Sequence, residues 1–295
     1  MTTTMDQPAA ALAGRVVAVL NTGSGTCDAN SEGQTKAIFA EAGLANARVV
    51  CATAAEIDSA LDQTVGAADV LVVLGGDGTI RSAGAKCAGR EVFLIPLPGG
   101  TMNMLPKALY GDRPWAVALA DTLARPAVHP VSGGKANDSM FFVAALLGAP
   151  TLWADAREAV RGGHLVEAAK RSVTAARRSL SEPLDYRFDE ALEGSAEAVA
   201  VVCPLISRVM DENERGLEAA AVDTASAGEA LRLGFHALFD DWRDDPSVSR
   251  AKVKLVRVTG HGRVPVILDG EKARMGREVV IRFVPLAFRA LVPAA

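Results

Sequence analysis

Two periodicities alternate through the first 125 residues. Short β-branched runs at 16–20, 49–51, 70–74 and 92–95 are separated by Ala-rich stretches of helical spacing at 35–45, 56–65, 80–88 and 115–124. Strand and helix in alternation predict a parallel sheet with crossover helices. In such a sheet ligands sit beyond the carboxyl ends of the strands. Three of these strands run into polar, Gly-rich turns at 21–26, 75–79 and 98–101. Three such turns on one rim would make one site.

After Pro126 the pattern changes. Strand-like runs at 140–143, 184–188, 196–202, 254–258, 265–268, 279–283 and 288–292 dominate, with two helical insertions. Short strands separated by turns predict an antiparallel, sandwich-like second domain. The expected fold class is α/β: an N-terminal parallel-sheet nucleotide domain over 1–128, then a β-rich domain over 129–284. One insertion carries a pattern of its own. Across 165–180 the apolar Leu165, Val166, Ala169, Val173, Ala176 and Leu180 share an arc of about 100° at helical pitch. Lys170, Arg171, Arg177 and Arg178 lie outside that arc. Two readings fit it: a solvated basic face, or a patch facing anionic lipid, where each cation is worth about 1 kcal/mol.

Composition narrows the function classes. A chain of 295 residues, 49% hydrophobic, has enough apolar content for about two cored domains. Its net charge of −4 disfavours a protein that coats nucleic acid. Cys27, Cys51, Cys87 and Cys203 form no Cys-x-x-Cys pair, against a disulfide scaffold or a thiolate zinc site and consistent with a reducing cytoplasm. The longest charge-free stretch, between Asp138 and Asp155, is interrupted by Ser139, Gly148, Pro150 and Thr151. It falls short of the roughly 20 apolar residues of a membrane span. The opening MTTTMDQPAAALAG has no basic leader before an apolar block, so no secretory signal is expected. His129, His164, His236 and His261 show no metal-ligand spacing.

The chemistry concentrates at strand ends. Gly75-Gly76-Asp77-Gly78-Thr79 follows an apolar run and opens a helical one. A strand turning into a helix through glycines brings main-chain N–H groups and a helix N-terminus toward phosphate. Glycine there admits φ > 0 and leaves room for a ligand. Asp77 is the odd member: a carboxylate repels phosphate unless Mg²⁺ or a donor stands between them, or else it serves as the proton-accepting, catalytic side of a transfer. The plain alternative is an Asp-Gly turn. Neither Gly-x-x-x-x-Gly-Lys-[Ser/Thr] nor Gly-x-Gly-x-x-Gly is present. Pro98-Gly99-Gly100-Thr101-Met102-Asn103 and Asn21-Thr22-Gly23-Ser24-Gly25 repeat the strand-end theme, Thr101 and Asn103 offering side-chain donors. Downstream, Pro265–Leu268 runs into Asp269-Gly270-Glu271. In a continuing strand Asp269 and Glu271 would share a face and offer a base for a hydroxyl; the alternative is a hairpin turn with a solvated Glu.

Together these residues resemble the diacylglycerol kinase catalytic family, in particular bacterial members related to sphingoid-base kinases. The resemblance runs from 21–25 through Thr53, 75–79 and 98–103 to 269–271 and the closing Phe288-Arg289-Ala290-Leu291-Val292-Pro293. It implies an α/β nucleotide domain followed by a β-rich domain, with the lipid headgroup in the cleft between them. It also implies a C-terminal strand, about 285–295, returning to the first domain. ATP would be met by Asn21, Thr53, Gly75, Gly76, Asp77, Gly78, Thr79, Thr101 and Asn103, with Asp77 organising the Mg²⁺-phosphate region. Glu271 would be the base, with Asp269 as its support or substitute. The implied protein is a cytoplasmic, peripherally membrane-associated lipid kinase that phosphorylates a hydroxyl of a diacylglycerol-like or sphingoid lipid.

Three departures stand out. The family's Asn-Glu after Gly-Gly-Asp-Gly-Thr-x reads Arg81-Ser82, and its Gly-Thr-x-Asn-Asp reads Gly100-Thr101-Met102-Asn103-Met104. A family Asp-Asp-Gly-Leu segment associated with a structural Mg²⁺ reads Glu214-Arg215-Gly216-Leu217, and an arginine cannot ligate a cation. The metal position is therefore left unassigned. Two other readings stay open: a soluble kinase of the NAD-kinase type, which shares 75–79 without the expected downstream Asn-Glu pair, and a nucleotide- or lipid-binding regulator without turnover.

Overall fold

The computed structural model describes residues 8–148, 183–207, 209–211, 213–222 and 248–294. The chain divides into two compact units, 1–133 with 284–295, and 134–283. The segment 165–180, with Lys170, Arg171, Arg177 and Arg178, lies outside the described residues.

In the first unit, β1 (Val16–Asn21), β2 (Arg48–Ala52), β3 (Val70–Gly75) and β4 (Phe93–Pro98) form a parallel sheet in the order β2-β1-β3-β4. β1 and β3 are buried throughout and β4 up to its last residue, as expected of strands covered on both faces. The helices are α1 (Pro8–Leu12), α2 (Ser31–Glu41), α3 (Ile57–Val65), α4 (Asp77–Cys87), α5 (Met104–Tyr110) and α6 (Trp115–Ala124). Val16, Leu20, Val72, Leu74 and Ile95 pack with Phe39 of α2 and with Trp115 and Leu119 of α6. Val17, Val19, Leu71 and Val73, which alternate with them, are buried too, and α3 and α4 pack on the sheet. The order 2-1-3-4 reverses between β1 and β3, and such a switch point is where open α/β sheets bind ligands.

The second unit is two antiparallel layers around one core. Its first layer is β12 (Val248–Val253), β11 (Leu217–Val222), β10 (Ala198–Val202), β7 (Ala144–Gly148), β14 (Pro265–Leu268) and β15 (Glu271–Arg274), in that order. The second contains β8 (Leu184–Phe188), β9 (Leu192–Ala196), β13 (Leu255–Thr259) and the first part of β16 (Glu278–Pro293). Between them Leu147, Val199, Val201, Leu217, Val266 and Leu268 meet Tyr186, Phe188, Val256, Val258, Val279 and Ile281. The expected α/β class, with a parallel sheet and a separate antiparallel one, is the class observed.

Several boundaries differ from the sequence reading, each for a local reason. The expected strand 196–202 is two, because the chain changes layers at Glu197: Ala196 pairs with Leu184 and Ala198 with Val222. The run 140–143 is a strand only to Phe141, as β6 (Ser139–Phe141), with a bend at 142–143 before β7, and β5 (Pro126–Ala136) was not expected at all. β11 reads LEAAAV and looks helical by composition, yet its partners make it a strand. The expected strands 279–283 and 288–292 are one strand of 16 residues. Pro285 sits between residues that pair with β13 and residues Arg289 and Ala290 that pair with β4. Within the first unit this last segment is held by Tyr110 Oη donating to Leu291 O at 3.0 Å and Ala294 N donating to Arg125 O at 2.7 Å.

Candidate functional site

The carboxyl ends of β1, β3 and β4 carry the three Gly-rich turns, and the structure joins them into one rim within the first unit. Asn21, 7% exposed at the end of β1, donates from Nδ2 to Thr79 Oγ1 at 2.8 Å across the switch point, and its Oδ1 accepts Gly23 N at 3.0 Å. Gly99 N donates to Gly75 O at 2.8 Å, and Thr26 N donates to Gly99 O at 3.0 Å. Asn103 is left-handed, at φ 51°, and clamps Gly100 twice: Gly100 N donates to its Oδ1 at 2.7 Å, and its Nδ2 donates to Gly100 O at 2.8 Å.

The structure answers how Asp77 can stand in a phosphate-type turn. Asn103 N donates to Asp77 Oδ2 at 2.9 Å and Met104 N to Asp77 Oδ1 at 2.7 Å. Each carboxylate oxygen thus carries a main-chain donor from the neighbouring turn, so its charge is partly compensated and the two turns are locked in register. Met104, where the family places an acid, takes part through its backbone N–H. α4 begins at Asp77, three residues earlier than the sequence pattern suggests. Its first intrahelical bond is Ile80 N to Gly76 O, and Gly76 supplies no side-chain cap. The N–H groups of Asp77, Gly78 and Thr79 therefore lie in the first helical turn, where donors point outward and the helix dipole favours an anion.

The glycines serve a different end from the one expected. None of Gly75, Gly76, Gly99 and Gly100 has positive φ. A Cβ on Gly99 would lie 2.7 Å from Gly75 N, one on Gly100 2.7 Å from Gly76 Cα, and one on Gly75 2.5 Å from Thr79 Cβ. Gly99 and Gly100 are glycine because the turns touch backbone to backbone, and Gly75 because the Thr79 side chain packs directly on it. A Cβ on Gly76 would meet only Gly100 Cα at 3.6 Å, and one on Gly25 would meet nothing within 4 Å. Packing does not require glycine at those two positions.

The other expected contacts divide. Thr53 follows β2 and is exposed; its amide and hydroxyl donate to Glu56 Oε2 at 3.2 and 2.7 Å, just ahead of α3, and hold Glu56 below the usual carboxylate range. Thr101 is exposed on the turn after β4. Ser24 lies in the turn that follows β1. Its Oγ is buried without a hydrogen-bond partner, and only three-dimensional placement could show that. Ser82, where the family has Glu, donates to Asp58 on α3. Among the described residues no group of three His, Cys, Asp or Glu side chains could hold a metal ion.

In the second unit the strand does not continue through 269–271. Asp269 and Gly270 have φ of 48° and 86° and form a two-residue hairpin turn, closed by the Leu268–Glu271 pair; this is the backbone that Asp-Gly favours. The expectation that Asp269 and Glu271 share a strand face is therefore corrected. Asp269 is 7% exposed and accepts three main-chain N–H groups, Phe142 at 2.8 Å, Val143 at 2.9 Å and Ala144 at 3.0 Å. That role is an anchor for the start of β7, which leaves the carboxylate poorly placed to accept a substrate proton. Glu271 is exposed at the head of β15. Beside Asp269, the thiol of Cys203 is pushed well up by burial and then by that carboxylate's charge.

Residues 15–136 match the model of the Diacylglycerol kinase catalytic domain. None of the curated proteins matches the chain. Among solved structures, a protein assigned as a diacylglycerol kinase from Bacillus anthracis str. Sterne aligns with a TM-score of 0.72 at 19% identity, over 94% of this chain and 97% of that one. A second, described as a diacylglycerol kinase from the same organism, aligns with a TM-score of 0.68 at 16% identity, over 94% and 96%. At such identities these likenesses show a common fold. The match to the diacylglycerol kinase catalytic domain thus lies over the first unit, and the chain as a whole has the fold of these structures.

Proposed function

We propose that this protein transfers the γ-phosphoryl group of ATP to a hydroxyl of a diacylglycerol-like or sphingoid lipid. The observation that carries the nucleotide half is the locked rim at the β1/β3 switch point. There the first-turn N–H groups of α4 supply outward-pointing donors, and Gly76 at the head of that helix leaves open space, an arrangement suited to an anion. Because Asn21, Thr79, Asp77 and Asn103 are held by one another, the donors are fixed before ATP arrives, and little ordering cost falls on binding.

The donor set fits a Mg²⁺ carried on the triphosphate better than one caged by protein, because Mg²⁺ is usually held by one or two carboxylates plus substrate phosphates. Asp77 would be that carboxylate, through the lone pairs its two N–H partners leave free. Bound there, the ion would neutralise developing charge on the phosphates. Glu271 is the residue we assign to take the proton from the acceptor hydroxyl, with Asp269 shaping the turn that presents it. Phosphoryl transfer depends mostly on positioning and charge stabilisation, which a preassembled rim supplies.

Transfer from [γ-³²P]ATP to a panel of diacylglycerol, monoacylglycerol and sphingoid bases in mixed micelles, with NAD as a soluble acceptor in parallel, tests the proposal. Label in a lipid supports it. Label in NAD alone favours the NAD-kinase reading, and tight ATP binding with no transfer to any acceptor favours a regulator.

A further inference from the structure

We infer that the second unit uses a side-chain ammonium, that of Lys252, where the family resemblance implies a structural Mg²⁺. The segment in question, Glu214-Arg215-Gly216-Leu217, leads into β11. Its residues do not fit a metal. The Glu214 carboxylate forms an ion pair with Lys252 Nζ, and its Oε1 accepts Asp211 N at 3.3 Å. Arg215, in place of an acid, adds a positive charge that a divalent cation would have to oppose. The nearest buried acid, Glu218, is 3% exposed and accepts Ser207 Oγ at 2.6 Å.

Three features make Lys252 part of the local structure rather than a passing surface charge. β11 and β12 pair with Glu218 opposite Lys252, so the lysine leaves the sheet on the acids' side of the ladder. Its stem runs over Gly216, where a Cβ would lie 3.2 Å from Lys252 Cγ and 3.1 Å from Val253 O. Glycine at 216 thus leaves room for the stem. The ammonium then reaches Glu214, a residue 25% exposed, and ties the segment 213–217 to β12. A metal would join the same two pieces of chain through ligands; here one covalently attached cation does so. Mg²⁺ is then needed for the nucleotide and not for the fold.

The inference concerns the fold and is read without turnover, so it stands or fails separately from the kinase proposal. Thermal unfolding of the full chain, free of nucleotide, is compared in EDTA and in millimolar MgCl₂. The wild-type midpoint is expected to be the same in both. Lys252→Met and Glu214→Gln should each lower it by about 2–4 °C in either buffer, the shift expected for loss of one modest interaction in a domain of this size. The double variant should be no worse than the weaker single one, and Lys252→Arg should restore most of the loss. A wild-type midpoint that falls in EDTA and returns with Mg²⁺ overturns the inference even if no variant folds. Additive losses in the double variant overturn it as well.

Discussion

At Gly75, Gly99 and Gly100 the missing side chain is a packing requirement, and at Gly76 it is not, so two alanine substitutions on the same rim should behave differently. Gly99→Ala forces a Cβ to 2.7 Å from the backbone of Gly75 and should cost about 1–3 kcal/mol, as overpacking does; urea unfolding measures it. Gly76→Ala meets only an ordinary contact at 3.6 Å and should fold within about 0.5 kcal/mol of wild type. It should nevertheless weaken ATP binding, measured calorimetrically, because the added methyl occupies the rim. Equal effects of the two on stability would refute the sorting. A similar division applies to the Asp-Gly-Glu turn. Glu271 is exposed, so Glu271→Gln should leave the melting temperature unchanged while kcat for lipid phosphorylation drops about 10²–10⁴-fold, the usual worth of a general base.

The hairpin joining β14 to β15 shows how one residue can organise an element. Asp269 occupies a left-handed turn position and gathers the N–H groups of residues 142–144. Asp269→Asn keeps the turn but replaces one acceptor oxygen with an amide that faces an N–H. An unsatisfied buried donor costs about 1–3 kcal/mol, and hydrogen exchange should show Phe142–Ala144 losing protection ahead of the rest of the unit. Unchanged protection there would show that the carboxylate is not the anchor. α5 depends on Asp77 in a parallel way, with two N–H groups at its start held by a carboxylate from α4.

Across the whole molecule the cysteines report the two cores. All four are free. Burial pushes the Cys87 thiol up to about 12 and raises Cys203 well above its ordinary range. A group whose folded pKa is raised contributes stability that is fully present below its unfolded pKa, about 8.5 for a thiol, and is lost as pH rises through the folded value. Unfolding midpoints should therefore decline from about pH 8.5 upward, and Cys87→Ala/Cys203→Ala should flatten that part of the curve. In native protein at pH 8 a thiol reagent should modify exposed Cys51, and Cys87 and Cys203 only after denaturant. No helix among the described residues is long and apolar enough to cross a membrane.

Sequence alone determined the alternation of strand and helix, the parallel first sheet and the placing of three Gly-rich turns beyond strand ends, because apolar runs of period two and helical stripes are local signals. It also marked the residues of the rim. Tertiary structure decided what those residues do. Asn21, Asp77 and Asn103 stand out in the sequence as ligand contacts, yet Asn21 bonds Thr79, 58 residues on, and Asp77 accepts the amide of Asn103, 26 residues on. No local pattern encodes such partners. Strands such as LEAAAV and the hairpin at Asp269 were set by their neighbours in the sheet, since pairing and burial outweigh intrinsic propensity wherever a segment can satisfy its backbone only against a distant strand.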